Sequence, residues 1–308
     1  MTAAAARLWR ALPGNTRGAI WVLLGGISIT TMHALGKDLG QRFSTAELTF
    51  FRCIVGMLLS LPLALALQGG IAGLRTRHMK LHVGRSLFGL ASWFTAFYAV
   101  PRLPLADFTT MSFTLPLFIT LLAVVVLREA GTWQRWLATM AGFTGVLIAA
   151  RPGGAGFDPA TLVALASAFF GACVIMVVKK TPITESPWVM LVYSNAVSSA
   201  VTLVPAVAVW SAPSAGDLAL LILVGVFGLG AQVTFILGMR EGEASAIAPF
   251  DYMRLVFAAL IGLAVFAEFP DAWSIAGAAV IVGASFYIGR HEVHLARRAK
   301  AAGTGPDG

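Results

Sequence analysis

The chain has 308 residues, of which 58% are hydrophobic and 12% charged, with a net charge of +8 and a mean hydropathy of +0.82. Soluble domains carry about 25% charged and about 45–50% apolar residues, so the composition excludes an ordinary soluble protein and points to the membrane. No basic domain gathers the charge into a nucleic-acid-binding surface, and Cys53 and Cys173, set in apolar runs without a C-x-x-C neighbour, offer no metal or redox pair.

Residues 1–17, "MTAAAARLWRALPGNTR", are basic but lack a separate short apolar core with a cleavage site, so the first span is expected to be a retained helix. A spanning helix needs about 20 residues. Apolar runs of that size lie near 18–36, 46–67, 82–100, 105–127 and 133–150, and again near 159–178, 187–209, 216–238, 244–266 and 272–290. Breakers separate them: Gly69-Gly70, Pro101, Arg151-Pro152-Gly153-Gly154, Thr181-Pro182 and Ser211-Ala212-Pro213. Such loops leave no room for a soluble domain. The expectation is an all-α integral membrane protein of ten transmembrane helices, with a tail at 291–308.

Ten spans place both termini on one side. That side collects fifteen Lys and Arg residues, in the N-terminal segment, 69–81, 128–135, 179–180, 240 and from 290 onward. The other side holds only Lys37, Arg42, Arg102 and Arg151. Positive loops stay cytoplasmic, so both termini are expected inside and the 1–17 and 291–308 extensions against an anionic membrane surface.

A shift of 139 residues superimposes Phe118 on Phe257, Val126 on Val265, Glu129 on Glu268 and Arg151 on Arg290; a slightly different shift pairs Pro62 with Pro205. These matches divide the chain into five-helix units, 18–150 and 155–290. Five is odd, so the second unit must enter the membrane in the opposite sense. Inverted repeats of this kind suit an alternating-access carrier with its substrate near the midplane.

In each unit the penultimate span closes on an apolar run and a glutamate, "LAVVVLRE" and "GLAVFAE", followed by a helix rich in small residues. With the short-looped five-plus-five pattern, this resembles the EamA-type members of the drug/metabolite transporter superfamily. The stretch 243–285, "EASAIAPFDYMRLVFAALIGLAVFAEFPDAWSIAGAAVIVGAS", is most similar to the second EamA repeat. The resemblance implies an inner-membrane carrier of small organic solutes with a cavity between the halves. "APFDYMR" followed by "FAEFP" further resembles the branch containing carriers for S-adenosylmethionine, riboflavin or carnitine-like metabolites, without choosing among them.

Asp251 and Arg254 stand out within the ninth span. Arg254 lies about ten residues in, roughly 15 Å deep at 1.5 Å per residue, where a charge normally faces a partner or a wet cavity. Asp251 sits one turn back on the same face. The two form either a self-neutralising internal pair or a charged wall of the substrate path. Their repeat positions are Ser112 and Leu115, so only one unit carries the pair.

Arg52, in the second span near the outer interface, is a further candidate, although its long side chain can snorkel there. His33 lies near the outer end of the first span, as a satisfied helix-end histidine or a cavity residue. Asp107 opens the fourth span, where it can complement the helix dipole. Trp93, Tyr98, Ser112, Thr114, Asn195, Gln232 and Tyr252 supply aromatic walls and uncharged polar groups for an organic ligand. Small residues at helical spacing in the fifth span (Ala138, Gly142, Gly145) and the tenth (Gly277, Ala284) suit close scaffold packing or a homodimer contact.

Enzymatic readings find little support. His78 and His82 have i, i+4 spacing but no adjacent carboxylate of the H-E-x-x-H kind, no G-x-S-x-G occurs, and "RPGGAGFD" precedes no G-K-[ST]. No cofactor or metal is expected, and transport would be secondary or facilitative. A membrane enzyme or a non-transporting receptor or assembly factor is the alternative.

Overall fold

The computed structural model describes residues 9, 12–127, 133–152, 157–179 and 186–301, and every regular element among them is helical. Besides a short 3-10 turn at Ile71–Leu74, these are in chain order α1 (Gly14–Leu39), α2 (Thr45–Leu67), α3 (Met79–Ala99), α4 (Leu105–Ser112), α5 (Leu115–Leu127) and α6 (Trp133–Ala150). They continue as α7 (Ala160–Lys179), α8 (Pro187–Ala208), α9 (Ala215–Glu241), α10 (Ala244–Asp251), α11 (Met253–Phe266) and α12 (Ala272–Ala301). Among the described residues, seven helical segments are long and apolar enough to cross a membrane, and Trp136–Ala150 and Ala272–Ile288 are shorter apolar helices. Large apolar side chains such as Leu58, Val125, Val204 and Val265 face outward, as lipid contact requires. The Glu129 landmark lies outside the described residues, and α12 runs on as helix to Ala301, beyond the expected end at 290.

Two expected helices are interrupted. The fourth apolar run divides into α4 and α5 at Phe113–Thr114, the ninth into α10 and α11 at Tyr252. At the first break the Phe113 and Thr114 N–H groups turn back to Thr110 and Met111, both at 3.1 Å. The Ser112 and Thr114 hydroxyls cap Thr109 and Met111 at 2.6 and 2.7 Å. Pro116 has no N–H to return to the Ser112 carbonyl. At the second break Leu255 N–H donates to Tyr252 O at 3.0 Å, three residues back, and Pro249 removes a ladder donor from α10. Periodicity in an all-apolar run does not reveal such a break, although the two prolines mark its neighbourhood.

Packing crosses between the halves. α1 lies against α9, α7 against α3, α2 against α8, and α6 against α12. One core cluster joins Ala96, Phe108, Met111 and Phe113 to Val146, Ala164 and Ile281; another joins Met32, Leu48 and Phe97 to Leu221 and Val224. Gly145 and Ala149 of α6 face Gly277 of α12 within the chain, whereas Gly142 faces Leu117 of α5. A Cβ on Gly277 would come within 2.6 Å of both Ala149 Cβ and the Gly145 carbonyl oxygen, so the backbones touch only because both positions are glycine.

Polar ties close both ends of the bundle. At one end Arg42 bridges Asp38 and Asp217 at 2.5 and 2.6 Å, Arg151 meets Asp271, and Lys37 meets Glu268 at 2.7 Å. There the Glu47 carboxylate, 1% exposed, accepts from Ser44 N–H at 2.9 Å and Ser211 N–H at 2.6 Å. At the other end Arg17 pairs with Glu241 at 2.6 Å, and the Asn15 side chain accepts Glu243 N–H at 2.9 Å.

Candidate functional site

The two helix breaks meet inside the bundle. The rings of Phe113, at the first break, and Tyr252, at the second, lie 5.2 Å apart, and the Arg254 guanidinium sits 4.8 Å over Phe113. Arg254 Nη2 is 3.0 Å from an Asp251 carboxylate oxygen. The arginine is mostly enclosed, whereas the aspartate side chain remains 40% exposed. Its charge is therefore half available to a visitor.

Asp251 and Arg254 line a cavity of about 180 Å³ with Val22, Gly25 and Gly26 of α1, Trp93 of α3 and Gln232 and Phe235 of α9. The glycines make the room. A Cβ on Gly26 would stand 3.0 Å from Arg254 Cγ, so any larger residue would push the arginine out of the wall. Most of the lining is apolar, with the ion pair and Gln232 as its polar points, an arrangement suited to an organic solute bearing charge. A larger cavity of about 310 Å³ lies among the loops at the Arg151 end, lined by Arg102, Asp107, Arg151, Asp158, Asp271 and Ser274.

Of the residues singled out in the sequence, Trp93, Gln232, Asp251 and Arg254 share the inner cavity. Three more gather behind Trp93. Arg52 lies 4.1 Å from its ring and donates to Asn195 Oδ1 at 3.1 Å, and His33 packs edge-on to Phe108 at 4.9 Å with Trp93 at 6.5 Å. Arg52 does not snorkel: it is 3% exposed and turned into the bundle. Tyr252 belongs to the aromatic contact between the breaks. Tyr98 stands apart, exposed at the end of α3 beneath Arg102, 3.8 Å from its ring. Ser112 and Thr114 spend their hydroxyls on the α4–α5 break and do not line the cavity.

Sequence reasoning missed Gly25 and Gly26, which look like ordinary spacing residues in an apolar helix. It also missed the burial of Lys37 and Glu47. The Ser44–Glu47 capping box, an S-x-x-E pattern before an apolar run, was a legible signal for the latter.

Known proteins match this arrangement along most of its length. The EamA-like transporter family matches twice, over residues 16–151 and 158–290. The S-adenosylmethionine uptake transporter of Rickettsia felis is 34% identical over 281 residues, which cover 90% of this chain and 94% of the relative. The riboflavin transporter of Rhizobium johnstonii is 30% identical over 291 residues, covering 91% and 93%. A solved crystal structure, 21% identical with a TM-score of 0.60, covers 92% of this chain and 98% of its own, so the fold recurs there. A helical bundle with an internal cavity, matched twice by one family of carriers, is a multi-pass membrane transporter and not an enzyme: the chain belongs to the EamA-like transporter family.

Proposed function

We propose that this transporter carries a charged, ring-bearing metabolite of the S-adenosylmethionine type into the cell. The observation that carries the reading is Asp251, half exposed in the cavity wall yet tethered to Arg254. Its carboxylate can receive a sulfonium or ammonium group, while Trp93 offers a face to a purine ring or to the cation itself. The names of the Rickettsia relatives support the same class.

The path runs between two inverted five-helix units of ten crossings, 18–150 and 155–290. Supporting this are the paired breaks 139 residues apart and the reciprocal packing of α1 on α9 and α7 on α3. Access alternates as the units rock about the contact between the breaks. The excess of Lys and Arg favours both termini in the cytoplasm and a plasma (inner) membrane location. A homodimer through α6 and α12 would use their lipid-facing sides, because Gly145 and Gly277 already meet within the chain.

A neutral flavin is the second reading, favoured by the aromatic wall and the riboflavin-named relatives. Uptake of labelled S-adenosylmethionine and of labelled riboflavin into proteoliposomes separates the two. Saturable S-adenosylmethionine uptake, poorly competed by riboflavin, is expected; uptake of neither above protein-free liposomes would end both readings.

A further inference from the structure

We infer that Arg52 and Asn195 form a second subsite, screened from the Asp251–Arg254 cavity by Trp93, which holds a carboxylate of the substrate. The inference rests on the carrier reading above and extends it to the other end of the solute.

Arg52 on α2 and Asn195 on α8 are 3% and 1% exposed, on helices that pack against one another. Arg52 lies seven residues into α2, about 10 Å from its start at 1.5 Å per residue. One guanidinium nitrogen donates to Asn195 Oδ1 at 3.1 Å and approaches the Cys53 thiol at 3.8 Å. Arg52 Nε and Nη2 and Asn195 Nδ2 have no acceptor among the described residues, and no carboxylate there forms an ion pair with Arg52. A membrane-buried charge ordinarily finds a partner, and a buried donor ordinarily finds an acceptor. Here Arg52 has no anionic partner among the described residues, and three donor groups converge without an acceptor. Such a cluster of unspent donors has the chemistry of an anion site.

The packing keeps it so. A Cβ on Gly228 would stand 3.2 Å from Arg52 Nε, and one on Gly56 3.0 Å from Asn195 Oδ1. Two helix backbones thus press against the pair and deny the arginine an exit to the interface. The unpaired Nε–Nη2 edge is the fork that grips a carboxylate or a phosphate with two parallel bonds. Trp93 is the partition: it covers the guanidinium at 4.1 Å and also lines the cavity of Asp251 and Arg254. A swing of this ring joins the two spaces. A solute carrying a cation at one end and a carboxylate at the other would then span from Asp251, across the indole, to Arg52.

The test compares wild type, Arg52→Gln and Asn195→Asp in proteoliposomes. Uptake of labelled S-adenosylmethionine is competed by the unlabelled compound and by its decarboxylated analogue. Wild type is expected to favour the carboxylate-bearing competitor at least about tenfold. Arg52→Gln should lower uptake at least about tenfold and abolish the preference. Asn195→Asp supplies a built-in carboxylate to Arg52; it should also lose the preference while melting at or above the wild-type temperature. This variant keeps the inference testable if Arg52→Gln fails to fold.

A preference that survives in either folded variant, or a wild type indifferent to the carboxylate, overturns the subsite and leaves the carrier reading standing. If wild type instead takes up riboflavin, competition by flavin mononucleotide decides. A preference for the phosphate form that is lost in Arg52→Gln supports an anion subsite for phosphate, and a preference for neutral riboflavin overturns it. Uptake of neither solute brings down the carrier reading and the subsite together.

Discussion

Lys37 Nζ lies 2.7 Å from the Glu268 carboxylate, joining α1 to the end of α11 across 231 residues of sequence. The same ammonium donates to the Leu103 carbonyl at 2.5 Å, and the second Glu268 oxygen accepts Leu105 N–H at 2.8 Å. That N–H is one of the groups an α-helix leaves unsatisfied at its start, so one carboxylate serves both a charge and the first turn of α4. With side chains 11% and 21% exposed, the pair is poorly screened by solvent.

Glu268→Gln should therefore strand the lysine charge. Removing one partner of a buried pair costs about 3–5 kcal/mol, and the partial exposure here favours the lower end. The melting temperature of the detergent-purified variant should fall clearly, while Lys37→Met with Glu268→Gln together should recover part of the loss. An unchanged melting temperature in the single variant would show that the pair adds nothing.

Asp251→Asn keeps the shape of the side chain but removes the charge offered to the cavity, and Arg254→Ala removes its tether. Each should reduce S-adenosylmethionine uptake at least about tenfold, since an unmet charged contact costs about 1.5–3 kcal/mol. Membrane abundance should stay near the wild-type level. Normal uptake in both variants would reassign the pair to helix packing.

Gly277→Val tests the α6–α12 contact. The added side chain meets Ala149 Cβ and the Gly145 carbonyl at distances real Cβ atoms do not reach, so the helices must separate. Overpacking of this kind costs about 1–3 kcal/mol. Thermal unfolding should register the loss, and Gly283→Val, on the same helix with nothing near its added Cβ, is the control that should melt as wild type does.

Asp271 provides a pH signature outside the spanning segments. The Ser274 backbone N–H, donating at 2.7 Å, holds the carboxyl below its usual range, helped by the Ser274 hydroxyl and Arg151. Because the folded value is depressed, this contribution is present above the unfolded carboxylate value of about 3.9 and is lost as pH falls through the folded one. Asp271→Asn, which can still cap α12, should melt below wild type at neutral pH, with the gap closing under about pH 4. A gap that stays constant from pH 7 to pH 3 would assign the effect to geometry instead of charge.

The apolar runs, the breakers between them and the unusual charges at Asp251 and Arg254 were legible because each is a local property of the chain. What lay hidden depends on distance. Lys37 sits in "HALGKDL" like any interfacial lysine until Glu268 arrives beside it. Arg52 looked free to snorkel because the glycines and the asparagine that enclose it come from α8, α9 and its own next turn. The break at Tyr252 escaped notice because an apolar helix and two apolar half-helices read alike, leaving only Pro249 as a trace.

The reciprocal contact of α1 with α9 and of α7 with α3 has a consequence for biogenesis. Neither half of the chain can complete its own interior, because the surface that seals each is made by the other. As the chain leaves the ribosome, α1 and α3 must wait in lipid, their Gly25–Gly26 and Gly89–Ser92 faces uncovered, until the later helices have been inserted. Maturation is thus a late docking event, and a chain severed between α6 and α7 should regain its compact form only when both fragments are made in the same membrane.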